Sequence, residues 1–221
     1  MATAAFTAVL KRTGTAVSMT GEACTLSGGD TIATVTDTTK RVLDPTVAIT
    51  LYDNGTPVAD TGFTVNYLFG TFTKAAGSFT GPMTVDASYL PTFAEAEINS
   101  FEVNLQADLL ESTTMAAATT TKARTTGLTS ASGTLGGLDT LLTDLDTGGG
   151  TMYAHSDLTA GTRRVVEITF PGGQIFRSFV FYDSAKVAGE IGDLVKDNLS
   201  WQSTTVIGTD QTEGNSFGFS S

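Results

Sequence analysis

Within Ser100–Leu110, polar and apolar side chains alternate without interruption as far as Leu109, and this run constrains the fold more than any other feature of the chain. In an extended strand the apolar residues fall on one face, namely Phe101, Val103, Leu105, Ala107 and Leu109. The polar residues fall on the other face, namely Glu102, Asn104, Gln106 and Asp108. A shift of one residue in strand pairing would bury two carboxylates and two amides, so we expect a sheet with one dry and one solvated face.

The composition favours strands and turns over helices. Of 221 residues, 40% are hydrophobic and 24 are glycine, and threonine is frequent throughout. Threonine and valine suit a pleated surface, and glycine supplies the positive φ angles of tight turns. A chain of this length buries roughly 70–75% of its unfolded surface, enough for one substantial core or two modest ones. We therefore predict a mainly β protein with a sandwich or barrel-like fold.

Shorter segments carry strand and turn signals on both sides of the central run. Val47–Tyr52 precedes Asn54-Gly55, a dipeptide that predicts a tight hairpin. Arg163–Phe170 and Gln174–Tyr182 flank a Pro-Gly-Gly connection of the right length for a second hairpin. These signals predict antiparallel strands joined by short turns.

One segment has the period of a helix instead. Leucines recur at positions i, i+3, i+4 and i+7, namely Leu138, Leu141, Leu142 and Leu145. Three glycines from Gly148 onward predict the end of that helix. A leucine stripe of this kind usually packs against a core, so we predict one α-helix that flanks the sheet.

The two ends of the chain carry few positions that look buried. We predict an N-terminal arm over residues 1–12 and a polar C-terminal tail over residues 209–221, in which Phe217 and Phe219 are possible anchors on a neighbour. Between them we predict a single β-rich domain over residues 13–208. Within it, residues 13–95 form either an added β lobe or an extension of the sandwich.

The charge balance excludes a surface that grips nucleic acid. The formal net charge is −11, and the chain has only 12 lysines and arginines, which are scattered. Binding to phosphates requires clustered cations. Two interpretations of the acidic excess remain open, which are a simple solubility device and a wall past which DNA slides without binding. No apolar run approaches the ~20 residues that span a bilayer, so we expect no membrane-spanning segment.

The sequence offers little for catalysis. His155 is the only histidine and Cys24 the only cysteine, and neither has a partner at the spacing of a metal site. No nucleophile motif accompanies them. We therefore expect a protein that is not an enzyme, with no catalytic residue, no cofactor and no metal.

The segment that follows the central run lacks a structural signal of its own. Glu111–Thr121 shows neither strand alternation nor a helical stripe, and it is too long for a tight hairpin. Loops of this length in compact domains are mobile or engaged with a partner. It is a candidate for contacts between copies of the chain.

The order of these elements resembles the major tail tube proteins of long-tailed bacteriophages, most clearly over residues 96–208. The resemblance is carried by the alternating strand, the leucine-rich helix and several short motifs: Glu111-Ser112-Thr113-Thr114, Gly127-Leu128, Ile168-Thr169-Phe170-Pro171-Gly172 with Phe176, and a closing strand to Gly208. In that family a β-sandwich with one flanking helix forms hexameric rings, and the rings stack into a tube whose lumen carries DNA. The resemblance implies the same fold and assembly here, with no catalytic residues to transfer.

The resemblance also implies partners and a location. We expect the chain to bind itself and other tail proteins, such as the tape measure, tail tip and terminator proteins, within a virion tail assembled in the host cytoplasm. DNA would pass through without specific binding. We expect Glu102, Asn104, Gln106 and Asp108 to form a lumen face, although an ordinary solvated sheet face has the same sequence. We expect an inter-ring loop at Glu111, Ser112, Thr113, Thr114 and Met115.

A different class of function also fits the composition. A β-sandwich that decorates a capsid or attaches to a host would share the strands and the acidic surface. Such a binding module would not stack into rings or tubes. Assembly therefore separates the two hypotheses.

Overall fold

A computed structural model describes residues 9–94, 98–111, 124–138, 158–170, 173–188, 196–204 and 217–220. Within these residues the chain forms fifteen β-strands and two 3₁₀ turns, Thr38–Lys40 and Asp60–Gly62. The strands are β1 Val9–Thr13, β2 Val17–Ser27, β3 Ile32–Val35, β4 Thr50–Asp53, β5 Thr56–Pro57, β6 Phe63–Asn66, β7 Thr71–Lys74, β8 Met83–Tyr89, β9 Thr92–Ala94, β10 Ile98–Glu111, β11 Arg124–Leu138, β12 Arg164–Thr169, β13 Ile175–Ala188, β14 Lys196–Ser203 and β15 Phe217–Ser220. The prediction of a mainly β fold is confirmed.

The chain divides into two compact units. Unit 1 comprises Met1–Ile98, Arg163–Val180 and Thr204–Ser221, and unit 2 comprises Asn99–Thr162 and Phe181–Ser203. The boundary at residue 98 falls close to the start of the region that most resembles tail tube proteins. Most of the predicted arm and tail falls on residues that are not described, so the predicted domain boundaries stay a prediction.

Unit 1 contains a seven-stranded sheet with the order β5-β4-β8-β2-β3-β7-β6. Its neighbouring strands are antiparallel, as the sequence predicts. Short turns join β2 to β3, β4 to β5 and β6 to β7, whereas β8 pairs with β2 and β4, and β3 pairs with β7, across longer connections. Asn54 and Gly55 connect β4 to β5 with φ angles of 50° and 77°, which confirms the predicted hairpin. The first strand of that hairpin starts at Thr50 and not at Val47.

A second group of strands in unit 1 has the order β13-β12-β1-β9, and β15 also pairs with β13. Val165 of β12 and Phe179 of β13 belong to the same buried cluster as Leu51, Phe72 and other side chains of the seven-stranded sheet. Strands of both groups therefore share one core. The predicted hairpin between β12 and β13 is present, with Arg164 opposite Val180 and Thr169 opposite Ile175.

Strands also form at the two chain ends. Val9–Thr13 is β1, which pairs with β12 on one side and β9 on the other, and Phe217–Ser220 is β15, which pairs with β13. Thr13 is buried, and its Oγ1 accepts a hydrogen bond from the Val165 amide at 3.1 Å. For these residues the expectation that the ends order only against a neighbour is wrong, because their backbone groups pair with strands of the same chain.

Unit 2 contains the order β10-β11-β14 followed by the second half of β13, from Phe181 onward. β10 covers the whole alternating run, so the predicted long strand is confirmed. Of the predicted helix, Leu138 is the last residue of β11, and the other three leucines lie outside the described residues. Residues 158–160 form a short helical turn.

Candidate functional site

The polar side of β10 is exposed to solvent. Glu102, Asn104 and Gln106 are all exposed, and the Asn104 Nδ2 donates a hydrogen bond to the Glu102 Oε1 at 2.9 Å. Asp108 lies in the same strand, but its side chain is not described. Three of the four candidate lumen residues therefore form one solvated row, as the alternation predicts. Whether that row lines a lumen remains a proposal.

This row continues across the neighbouring strands. A Cβ added to Gly136 of β11 would collide with the Ser100 Oγ and would lie 2.9 Å from the Asn198 Oδ1, which places β10, β11 and β14 side chains on one face. Side chains alternate along each strand, so the same face includes every second residue from these positions. We call this the polar face and define it as Ser100, Glu102, Asn104, Gln106, Ser132, Thr134, Asn198, Ser200 and Gln202, together with Asp183 of β13, which contacts it.

Asp183 is bound to the polar face by two side chains of β14. The Ser200 Oγ donates to the Asp183 Oδ1 in a short hydrogen bond, and the Gln202 Nε2 donates to the Oδ2 at 3.0 Å. Partial burial raises the pKa of the Asp183 carboxyl, but these hydrogen bonds outweigh it and hold the pKa below its ordinary value. Asp183 therefore stays ionised at neutral pH.

The charge of the polar face is entirely negative among its described members. Glu102 and Asp183 are carboxylates, and the other side chains of the set are hydroxyls or amides. Lys196 continues the same alternation of β14, but its side chain is not described. Sequence reasoning missed the contributions of β11, β13 and β14. The alternation of Asn198, Ser200 and Gln202 with Leu199 and Trp201 was available as a signal, but the pairing that aligns these strands was not.

The other side of unit 2 is apolar and only partly covered. Leu135, Leu199 and Trp201 are buried at 0%, 2% and 1% exposure. On β10, Phe101 and Val103 are half-buried, whereas Leu105 is 52% exposed. The prediction of a continuous dry face is therefore wrong beyond Val103, because no described part of the chain covers the strand there.

Gly133 makes the pairing of β10 with β11 possible. It lies opposite Trp201, and an added Cβ would collide with the Glu102 carbonyl oxygen and come within 2.6 Å of the Trp201 ring. The indole instead covers the backbone of the glycine, as aromatic residues do opposite glycine in sheets. The close approach holds β10 beside the buried part of unit 2.

The described residues show no arrangement suited to metal binding, and the thiol among them is unreactive. No group of three His, Cys, Asp or Glu side chains in the described part of the chain could hold a metal ion. Burial, with a smaller contribution from nearby Glu22, raises the pKa of the Cys24 thiol to about 12. A thiol with this pKa stays protonated and is a poor nucleophile. His155 lies outside the described residues.

Two other sequence predictions concern the inter-ring loop and the absence of a membrane-spanning segment. Glu111 is the last residue of β10, and Ser112, Thr113, Thr114 and Met115 lie outside the described residues. The inter-ring loop therefore stays a prediction. Among the helices that the structure describes, none has the length and apolar character needed to cross a bilayer.

Comparison with known proteins gives limited information. No protein-family model and no curated protein matches the chain. Two solved structures are similar to it: the virion of a native gene transfer agent particle, at 16% identity and a TM-score of 0.45 over 59% of this chain and 89% of that one, and the tail of an empty gene transfer agent particle with C6 symmetry, at 16% identity and a TM-score of 0.45 over 59% and 87%. A TM-score of 0.45 is too low for either likeness to carry an argument about function.

Proposed function

We propose that the chain is a structural subunit of a phage tail tube, which assembles into stacked hexameric rings whose lumen conducts DNA. The observation that carries the proposal is the polar face, whose described side chains on four strands are hydroxyls, amides and carboxylates. DNA is bound through its phosphates by lysine and arginine. A wall built from this face would pass DNA without holding it. The sequence resemblance to tail tube proteins supports the same function.

Repetition strengthens the effect of each carboxylate. One exposed Glu102 acts weakly, because salt screens its field within about 8–10 Å. In a ring of identical subunits the same charge recurs around the lumen, and in a tube it recurs along the axis. The summed negative potential keeps phosphates away from the wall. Asp183 adds to this potential, and Asp108 would do so if its side chain points the same way.

β10 also supplies a reason to assemble. Within the described strands it lies at one end of the sheet order, and a free strand edge presents unpaired backbone N–H and C=O groups. Leu105 adds exposed apolar surface on the same strand. Pairing of this edge with the next subunit would satisfy the backbone groups and cover Leu105. A closed ring leaves no such edge free.

Contacts between rings belong to the same proposal. We assign them to the segment from Glu111 to Met115, which begins at the last residue of β10. In a virion tail, the end rings of the tube would meet other tail proteins, such as the tape measure, tail tip and terminator proteins. Replacing Ser112–Met115 by glycine and serine should give folded subunits that form rings but do not stack, as seen by electron microscopy. Normal tubes from this variant would contradict the assignment.

A charge reversal on the polar face tests the passage of DNA. The double substitution Glu102→Lys with Asp108→Lys should leave the subunit folded and the tubes intact, because both positions lie on one strand whose described polar side chains are solvated. Tubes of this variant should retain DNA, and the retention should fall steeply as salt rises. Delivery of DNA by particles that carry the variant should fall.

The matched control reverses the same number of charges in unit 1. Asp30→Lys with Asp60→Lys changes two exposed carboxylates outside the polar face, so it should not cause retention of DNA. Tubes of the polar-face variant that deliver DNA normally and retain none at low salt would place this face outside the lumen. A protein that forms neither rings nor tubes would favour a capsid decoration or host-attachment module.

A further inference from the structure

The turn between β4 and β5 contains the one Asn-Gly pair of the chain, Asn54-Gly55. Both residues are exposed, with φ angles of 50° and 77°, and a positive φ at both central residues is characteristic of a type I′ turn. Asparagine before glycine favours attack of the next backbone nitrogen on the side-chain carboxamide, because glycine has no Cβ to shield that nitrogen. A Cβ built on Gly55 would meet no atom within 4 Å, so neighbouring groups do not shield it either.

Neither reacting group is engaged elsewhere in the described part of the chain. There, the Asn54 carboxamide and the Gly55 N–H have no hydrogen-bond partner. Asn66 differs, because its Oδ1 accepts a hydrogen bond from the Leu68 N–H at 3.1 Å. The residue after it, Tyr67, is large and only 1% exposed. Asn54 therefore has both the reactive sequence and free groups, whereas Asn66 has neither.

The folded turn nevertheless opposes the reaction. In an ideal type I′ turn the first central residue has a ψ of about +30°, which places the following nitrogen roughly anti to its Cβ. A cyclic imide requires these two atoms to be nearly eclipsed, so the peptide between Asn54 and Gly55 must rotate and the turn must open. The residue is also held in place. Its Cβ would lie 2.6 Å from a Cβ added to Gly81, and its backbone N–H donates to the Pro82 carbonyl at 3.1 Å.

The strand on the far side of the turn is weakly held. β5 consists of Thr56–Pro57, is exposed and lies at one end of the seven-stranded sheet. It pairs with only two residues of β4, and Pro57 has no N–H to donate. One further backbone hydrogen bond, from Val58 to Leu51, follows at 2.8 Å. Segments with few buried contacts open at a free energy below that of global unfolding, so β5 can detach while β4 stays paired with β8.

We propose that Asn54 is a site of spontaneous deamidation, and that local opening of the β4–β5 hairpin sets its rate. In the open hairpin the Gly55 nitrogen loses its proton to hydroxide and forms a bond to the Asn54 Cγ. The bond from Cγ to Nδ2 breaks, Nδ2 takes a proton from water, and ammonia leaves a cyclic imide. Water then opens the imide. The product is aspartate when the bond between the Gly55 nitrogen and Cγ breaks, and isoaspartate when the bond to the main-chain carbonyl carbon breaks.

Either product changes one edge of the seven-stranded sheet. Aspartate adds a carboxylate next to Asp53, whose own carboxylate is bound by Thr80, Gly81 and Lys74. Isoaspartate adds one carbon to the main chain of a two-residue turn, which removes the pairing of Asp53 with Thr56. β4 retains its pairing with β8, so we expect the subunit to stay folded.

Peptide mass spectrometry of the full chain, aged in mildly alkaline buffer, tests the proposal. Residue 54 should be converted about 10–1,000-fold more slowly than in the chain unfolded by urea, each factor of ten corresponding to about 1.4 kcal/mol of opening free energy. Below the global transition the rate should change little with urea, because opening a short hairpin exposes little surface. Asn66 is the internal control and should remain asparagine. Equal rates in the folded and unfolded chain, a folded-state rate below this range, or one that rises in step with global unfolding would overturn the proposal.

The substitution Gly81→Ala tests the role of the hairpin without denaturant. The added Cβ would collide with the Asn54 Cβ, and the φ of Gly81 lies outside the left-handed region, so the substitution acts through this contact. We expect deamidation at residue 54 to become several-fold faster and to stay insensitive to urea below the transition. The control Thr64→Ala changes an exposed residue of β6 in the same sheet and should leave the rate unchanged. An unchanged rate in Gly81→Ala would contradict control by the hairpin.

Discussion

Two charged side chains in each unit lie in opposite environments. In unit 1, Glu167 and Arg177 are 0% and 6% exposed and bind each other across β12 and β13. In unit 2, Glu102 and Asp183 lie exposed on the polar face and accept hydrogen bonds from amide or hydroxyl neighbours. The difference teaches that the Glu167–Arg177 charges stabilise each other inside the core of unit 1, whereas the Glu102 and Asp183 charges of unit 2 face solvent.

Apolar side chains show the same contrast. Leu51 and Phe72 of unit 1 are fully buried by residues of the same unit. On β10 of unit 2, Phe101 and Val103 are half-buried, but Leu105 is 52% exposed and Ala107 is also exposed. Unit 1 therefore completes its core from its own chain. Unit 2 has apolar surface that a second copy could cover.

The largest expected effect comes from breaking the buried pair of unit 1. Arg177→Met should lower the free energy of unfolding by about 3–5 kcal/mol, because Glu167 remains as an uncompensated buried charge. Denaturant unfolding of the subunit measures this loss. The double substitution Glu167→Met with Arg177→Met should recover much of it. A loss below about 1 kcal/mol for the single variant, the level of an exposed pair, would contradict the structural role of the charge.

The next effect concerns the close contact in unit 2. Gly133→Val should destabilise the subunit by about 1–3 kcal/mol, because the new side chain overlaps the Glu102 backbone and the Trp201 ring. Thermal unfolding followed by tryptophan fluorescence measures it, since Trp201 is the only tryptophan. The neighbour Thr134 is exposed, so Thr134→Val is the matched control and should change stability little. Equal losses of stability in the two variants would contradict the close approach of the β10 backbone to Gly133.

The dependence of stability on pH gives a further comparison between the units. Burial raises the pKa of the Asp53 carboxyl, but hydrogen bonds from Thr80 and Gly81 and the contact with Lys74 hold it below its ordinary value. A depressed folded-state pKa stabilises the protein above the unfolded pKa of about 3.9, and this stability is lost as pH falls through the folded value.

Asp53→Asn should therefore lower stability at neutral pH and flatten its loss in acid below about pH 4. Asp183 of unit 2 also has a lowered pKa, but it is exposed, so solvent weakens its contribution. Asp183→Asn should have the smaller effect in urea unfolding followed across pH. A larger effect of Asp183→Asn would reverse the contrast between the units.

The smallest expected effect on the subunit is also the most informative about assembly. Leu105→Asp should change the free energy of unfolding by no more than about 0.5 kcal/mol, because the side chain is half-exposed in the single chain. The same change should prevent ring formation, measured as mass at high concentration. The control Gln106→Asp changes the adjacent residue, which lies on the polar face, and should leave assembly intact. A large loss of stability from Leu105→Asp would show that the residue is covered within its own subunit.

Local sequence patterns predicted where several strands and turns lie, but not which strands pair with each other. The alternation of Phe101 to Asp108 and the Asn54-Gly55 turn depend on neighbours in sequence, so β10 and the β4–β5 hairpin could be read from the chain. The strand β1 was missed because Val9–Thr13 carries no alternation. It is a strand because β12 and β9 supply pairing on both of its edges.

The candidate site shows the same limit. Glu102, Asn104 and Gln106 were predicted to share a solvated row, whereas Asp183 and Ser200 were not connected to them. Their contact depends on the pairing of β13 with β14, which joins residues that are 17 apart in sequence. Likewise, the contact between Glu167 and Arg177 depends on the pairing of β12 with β13, which places the two residues opposite each other.

The assembled state of the unmodified protein tests the central claim most directly. Mass should be measured at low concentration, and electron microscopy should be performed on the purified chain at high concentration. We predict subunits that associate as concentration rises, into hexameric rings that stack as hollow tubes. Compact monomers at every concentration would contradict a tail tube subunit.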